Sequence, residues 1–500
     1  MSESNGEAHA STLPHSGPTP VPRGHSLLAW IAIAAIVSGV VYWQNFTYRG
    51  GAAGSQSEGV SLLIHEAFAK SFVAAPESAK ENGDVEGAKR IRESMIRIAS
   101  DRNHGSVDER LSALITLGEL ASPSVALKGI QELAIEAEKE GYELTPVEKT
   151  RVEILKRLYA DYNDGRLNAP TVSPDERNAL VAAYGWSGEL ALAPAGADGP
   201  IGVARNGILA EAKRTLSGVL IVLGAGITGL LVGFVGLSLM VIRGLIGRWK
   251  SNLGPSVAYH GIYAETFAIW IAALFLLFAV LPFAMPAVLP WWLPKILALL
   301  LSLGVLVWPV WRGIPWKQAR QDIGLTLGTQ PFLEPIYGIA SYFHALPLLL
   351  CGSILTLLLV VGISPTPAAA TNSFQTSPIV AHPALQQLAR GSLSEIWPYY
   401  FLLAVCAPIV EEIFFRGVFY RHCRDATRGW RVSIFGSMIV VSVIFAAVHP
   451  QGVFAIPVLA SLGCAFALAR EWRGTLIPGI IAHGLSNAIM LSAVALCLMK

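Results

Sequence analysis

Charge is what this sequence is short of. Only 14% of its 500 residues are Asp, Glu, Lys or Arg, against roughly 25% in soluble domains. The deficit falls after Thr215, where apolar runs follow one another. Cysteine is scarce as well. The five residues, Cys351, Cys406, Cys423, Cys464 and Cys497, all lie in the apolar half. The stretch 49–214 has none, which excludes a disulfide framework there. The chain has no CxxC, no HExxH and no GxGD, so nothing points to a thiol redox pair, a zincin-type zinc site or an aspartyl intramembrane protease. A formal net charge of +2 without a basic tract gives no reason to expect a nucleic-acid partner. What remains is an all-α, polytopic helical membrane protein of about nine spans, with one soluble helical insert between spans 1 and 2.

Taken in order, residues 1–25 read as a disordered tail rich in Ser, Pro, Gly and His. An apolar run at 26–43 is about one membrane thickness long and reads as an uncleaved anchor. A soluble α-helical domain is expected over 49–214. Three of its helix starts carry capping boxes: Ser106 with Glu109, Thr145 with Glu148, and Ser173 with Glu176. In each, the hydroxyl accepts from a free backbone N–H and the Glu reaches back. Pro146 and Pro174 suit the first helical position. No catalytic constellation is visible there; Gly185-Trp-Ser-Gly188 matches the GxSG of rhomboid-like serine proteases by chance, since it lies in a polar region.

Membrane helices are expected over 215–363, and a second membrane core over 395–498. Gly224-Ala-Gly-Ile-Thr-Gly229 imitates a dinucleotide fingerprint, but no strand precedes it. Gly229 and Gly233 form GxxxG, so close helix packing explains them better. Further spans are expected at Thr266–Phe283, Trp291–Trp311, Tyr337–Ile363, Ile396–Phe415, Val432–Val448, Val453–Leu468 and Leu476–Leu498. A polar loop is expected over Ser364–Arg390. Lys and Arg cluster after every second span, Arg416, Arg421, Arg424, Arg428 and Arg431 among them. By the positive-inside rule the N-terminus is then cytoplasmic and the insert extracytoplasmic, in a multi-pass protein of the plasma membrane.

The chemistry lies in three late spans. Glu411 and Glu412 are adjacent carboxylates in an apolar run, and ionised groups inside a membrane tend to mark function. On a helix, Glu412 and Arg416 face one another, while Glu411 points ~100° away. Glu412 is therefore neutralised by Arg416, and Glu411 is left to act as a general base for water. Phe445 and His449 share one helix face, as do His483 and Asn487. Imidazoles can hold a water or a metal, and an Asn amide can donate to a developing oxyanion. Two His and a Glu also form a known catalytic zinc set. His260, His344, His382 and His422 read as structural or solvated. Glu265, Glu334, Glu395 and Glu471 lie near span ends, where they can reach water. Counted at ~1.5 Å per residue, Glu411 and His483 come out at similar depth, with His449 nearer the outer face.

Glu411-Glu412-x-x-x-Arg416, Phe445-x-x-x-His449 and His483-x-x-x-Asn487 together resemble the three motifs of the CAAX-protease and bacteriocin-processing intramembrane peptidases, which include the type II CAAX prenyl endopeptidases and the Abi proteins. The resemblance covers about Glu395 to Met490. It implies a membrane-embedded endopeptidase in which Glu411 activates the attacking water and Glu412 assists, paired with Arg416. His449 would join Glu411 on the water, and His483 and Asn487 would bind a metal or stabilise the oxyanion. The motifs fit a Zn2+ site on Glu411, His449 and His483 and a metal-free glutamate mechanism alike. The expected substrate is a membrane-associated or lipid-modified peptide or protein, and the insert is expected to bind a protein partner. A catalytically inactive membrane scaffold or immunity protein on the same fold is the alternative.

Overall fold

A computed structural model of the chain describes residues 23–44, 53–100, 105–254, 261–286, 288–363, 374 and 396–498. Most of the expected tail, the loop Ser364–Arg390 apart from Phe374, and His260, His382 and Glu395 lie outside the described residues. All regular structure among the described residues is helical. Helix α1 (Ser26–Tyr42) is followed by α2 (Ala53–Glu81), α3 (Val85–Ser100), α4 (Val107–Leu120), α5 (Pro123–Lys139), α6 (Pro146–Asn163), α7 (Pro174–Tyr184) and α8 (Trp186–Ala191). Then come α9 (Gly199–Leu245), α10 (Ile262–Ala284), α11 (Leu293–Trp311), α12 (Trp316–Ile323) and α13 (Glu334–Ile363). The last four are α14 (396–426), α15 (Ser433–Ala447), α16 (Ile456–Arg473) and α17 (Ile477–Leu498).

Five of these helices are long and apolar enough to cross a membrane: Gly199–Leu245, Ile262–Ala284, Leu293–Trp311, Glu334–Gly362 and Val453–Arg473. Three shorter apolar helices, Ser26–Tyr42, Ser433–Ala447 and Ile477–Ala493, accompany them. Exposed Val219, Leu220, Ile221, Leu223 and Leu231 on α9 give it an apolar outside. A hydrocarbon environment requires such a surface, with every backbone polar group paired inside the helix. The chain is an integral membrane protein.

The three capping boxes at the starts of α4, α6 and α7 are formed from both sides. These helices build a core on Leu111, Ile115, Leu155, Leu158 and Leu180. One helix crosses the expected domain boundary at 214. α9 begins at Gly199 and runs for 47 residues, and its first turns carry Ile208 and Ala212 into a cluster with Val73 and Trp186. Lys70 on α2, 1% exposed, bridges Glu66 and Glu211 of α9 at 2.7 and 2.8 Å. Burial disfavours its charge, but the two carboxylates outweigh that and hold its pKa above the ordinary lysine value. Farther along α9, a Cβ on Gly233 would come within 2.1 Å of the Phe343 carbonyl on α13. Close packing is thus what the GxxxG pattern provides, as expected. Ser187 of the GxSG match is buried, bonded to Ser112 at 3.3 Å and away from the polar cluster.

Two expectations need correcting. The sequence pattern ends the sixth span at Phe415, with Arg416 the first of the cations that follow it. The helix instead runs on to Ala426, with Arg416 fully buried and Arg421 only 3% exposed. Nor do the end-of-span glutamates reach water. Glu334 and Glu471 are 0% exposed and Glu265 8%. Each is sealed by arginine instead: Glu334 by Arg473, Glu471 by Arg424 and Glu265 by Arg312. Burying an ionised carboxylate is tolerable only with such a partner.

Candidate active site

Helix geometry brings the three motifs to one level. Glu411 lies 15 residues before the end of α14 at Ala426, and His449 lies 16 residues after the start of α15 at Ser433. α14 and α15 form a hairpin, so equal climbs from its turn make the two residues neighbours. This overturns the depth count that set His449 apart, which had cut α14 short by three turns. His483 arrives differently. Leu476, just before α17, sits against Gly417, where a Cβ would meet the Leu476 side chain at 3.4 Å and the Ile323 carbonyl at 2.8 Å. From there Glu411 is six residues up α14 and His483 seven up α17.

α14 is not a regular α-helix. It widens to π geometry over Tyr400–Cys406 and again over Glu412–Phe419, a local form that recurs at functional sites. Pro408 has a clear part in this, since it has no N–H to give to a carbonyl one turn back. Asn487 on α17 supplies a donor there: its Nδ2 donates to the Leu403 carbonyl at 2.7 Å. Gly484 lies against the next carbonyl, and a Cβ there would stand 2.5 Å from the Ala404 oxygen. The second widened segment starts at Glu412 itself.

The two glutamates have different surroundings. Glu412 is 0% exposed and accepts from Arg416 Nη1 at 2.8 Å and from His483 Nδ1 at 3.0 Å, both on Oε1. The Arg416 guanidinium lies over the Phe445 ring, 4.3 Å from its centroid. Among the described residues, no arginine lies at salt-bridge distance from Glu411. Its side chain is 19% exposed, and its Oε2 faces His449 Nε2 at 3.7 Å and His483 Nε2 at 3.8 Å.

The hydrogen bonds at the far side of each ring fix which nitrogen carries the proton. His449 Nδ1 lies 2.5 Å from the Phe445 carbonyl, which can only accept, so Nδ1 carries hydrogen and donates. His483 Nδ1 likewise donates to the Glu412 carboxylate. In the neutral rings both Nε2 atoms are then lone-pair acceptors. They converge on a third acceptor, the Glu411 carboxylate. Three acceptors meeting without a donor call for a cation, or for a water whose two hydrogens serve two of them.

The donor set suits zinc in kind, with two imidazoles, a carboxylate and partners behind each ring. Its spacing falls between what zinc and what water would set. Ligands held at ~2.0–2.1 Å in a tetrahedron lie about 3.4 Å apart, and Glu411 stands wider than that from both rings. Among the described residues no group of three or more His, Cys, Asp or Glu is placed to hold a metal ion. Acceptors around one water at ~2.8 Å lie about 4.5 Å apart, so separations of 3.7 and 3.8 Å stand between the two occupants.

Aromatic packing completes the site. Phe466 of α16 stacks on His483 at 4.8 Å, and Phe445 meets His449 at 4.2 Å and Phe415 edge-on at 5.1 Å. Trp270 and Phe267 of α10 stack on Phe414 and Phe419 at 4.4 and 4.2 Å, holding the back of α14. Phe466 had no signal in the sequence, since it lies in a continuous apolar run. His422 and His344 are structural, as expected. His422 accepts from Trp30 Nε1 at 3.1 Å, and His344 packs beside Trp472.

Comparison with known proteins bears on the same stretch. Residues 393–489 match the family of type II CAAX prenyl endopeptidases, Rce1-like. The match takes in α14, α15, α16 and the part of α17 that carries His483 and Asn487. The membrane-embedded CAAX protease MroQ of Staphylococcus aureus (strain USA300) is 34% identical over 93 residues, 18% of this chain and 37% of MroQ. The chain thus spans little more than a third of that relative's length. No solved structure matches. The helices α2 to α8 lie outside the Rce1-like match.

Proposed function

We propose that this chain is an intramembrane endopeptidase that hydrolyses a peptide bond of a membrane-associated or lipid-modified substrate with a water activated by Glu411. The observation that carries this reading is the convergence of two Nε2 lone pairs on the half-sheltered Glu411 carboxylate, inside a stretch similar to the CAAX proteases. A water held there gives one proton to Glu411 as its oxygen attacks the scissile carbonyl carbon. When the C–N bond breaks, that proton passes from Glu411 to the leaving nitrogen. His449 orients the water through Nε2. Glu412, already neutralised by Arg416, holds the His483 ring with Nε2 toward the reacting centre. One N–H of Asn487 is engaged by Leu403, so Asn487 serves an oxyanion only through its second.

The topology belongs to the same proposal: nine spans, the N-terminus cytoplasmic, and the α2–α8 region an extracytoplasmic, water-soluble domain that binds a protein partner. The test is cleavage of a membrane-anchored reporter peptide by purified protein. Glu411→Ala and His449→Ala are expected to abolish cleavage, on the order of a 10²–10⁴-fold loss for a general base, with expression and folding intact. Cleavage at the unmodified rate by both variants would dispose of the reading.

A further inference from the structure

Where α14 turns into α15, a cavity of about 570 Å³ opens beside the bundle. Arg421, Arg424, Arg428 and Arg431 line it, with Asp425 the one acidic residue among its lining. Asp425 accepts from Arg421 and Arg428, and Arg424 pairs with Glu471 behind the wall. The lining itself thus carries four guanidiniums and one carboxylate. Its outer arginines reach solvent: Arg428 is 53% exposed at the side chain and Arg431 is exposed too. Guanidinium forks match phosphate geometry.

The rim carries Trp430, and Val432 and Phe435 follow close behind it in the chain. Trp430, Val432 and Phe435 are 65%, 59% and 69% exposed. Tryptophan beside arginine at a helix turn is the composition of a membrane–water interface, and basic pockets between membrane helices take lipid head groups. A soluble anion would have no use for that rim. We infer that this cavity binds the phosphate head group of an anionic lipid, with its acyl chains lying along Trp430, Val432 and Phe435. The turn it occupies is the one from which Glu411 and His449 are equally far. A head group bridging Arg428 and Arg431 therefore braces the hairpin that carries both. That consequence for catalysis rests on the peptidase reading, whereas the binding itself does not.

The full-length protein in detergent would be mixed with phosphatidylglycerol or phosphatidylcholine, and retained lipid read by native mass spectrometry. Phosphatidylglycerol is expected to be retained in preference. Arg428→Gln/Arg431→Gln should weaken it by roughly tenfold or more, and Arg320→Gln, an exposed arginine outside the cavity, should leave it unchanged. Both substitutions in the double variant fall at exposed positions, and an unchanged melting temperature would confirm that it folds. Equal retention of the two lipids, or full retention by the double variant, would overturn the proposal. Inorganic phosphate is expected not to displace the lipid; displacement at comparable concentration would overturn the lipid assignment in favour of a soluble anion. In vesicles, anionic lipid should accelerate reporter cleavage by the parent protein and not by the double variant. Binding without acceleration would sink the coupling to catalysis and leave the site standing.

Discussion

Glu411 and the glutamates nearer the helix ends are the same chemical group under opposite treatment. Glu334 and Glu471 are 0% exposed and held by Arg473 and Arg424. Glu412 follows the same pattern with Arg416. Each is a carboxylate whose charge is cancelled at once, as a low-dielectric interior demands. Glu411, one residue from Glu412, keeps some exposure and faces two imidazole lone pairs instead of a guanidinium. Glu334–Arg473 and Glu471–Arg424 join separate helices; on the proposed reading, the unsealed carboxylate is the one left free to take a proton. On the proposed peptidase reading, charge inside this bundle marks function where the counter-charge is missing.

The comparison can be broken most forcefully at the sealed pairs. Arg416→Met leaves the Glu412 carboxylate with the His483 ring alone, and about 3–5 kcal/mol of stability should be lost, read as the fall in melting temperature in detergent. Glu412→Gln/Arg416→Met removes both charges and should regain most of that loss. A double variant as unstable as the single one would show that the pair does more than cancel itself. Asn487→Ala comes next. It leaves the Leu403 carbonyl without its donor, at a cost of about 1–3 kcal/mol. If Asn487 mainly holds α14 in shape, the loss appears in melting temperature, with kcat of the surviving folded protein changed by less than tenfold. A large fall in kcat at unchanged stability would move Asn487 to the oxyanion. The smallest effect is expected at Ser187→Ala. It removes one 3.3 Å hydrogen bond to Ser112 and should cost no more than ~1 kcal/mol, with cleavage untouched; lost cleavage would revive a serine mechanism.

Local features were legible in the sequence. The capping boxes at Ser106, Thr145 and Ser173 are satisfied within four residues, so pattern and geometry are the same statement. The same holds for Glu412 with Arg416 and for the small residues Gly229 and Gly233. Long-range partners were not legible. Arg473 and Glu334 are 139 residues apart, and nothing local says that they meet. The extent of α14 was misread because a charged residue normally ends an apolar run. Arg416 stays inside because Glu412 cancels it and Phe445 covers it. His449 was misplaced for that reason alone. The π segments were invisible too, since they depend on Pro408 and on a donor 84 residues away, Asn487.

The central claim is that the site formed by Glu411, His449 and His483 holds one water molecule. An experimental density map fine enough to show ordered solvent tests it most directly. The account predicts a single oxygen at about 2.8 Å from the Glu411 carboxylate and from His449 Nε2. A heavier atom bound at about 2.0–2.1 Å to the same three groups, or packed methyl groups filling the space between them, would contradict it.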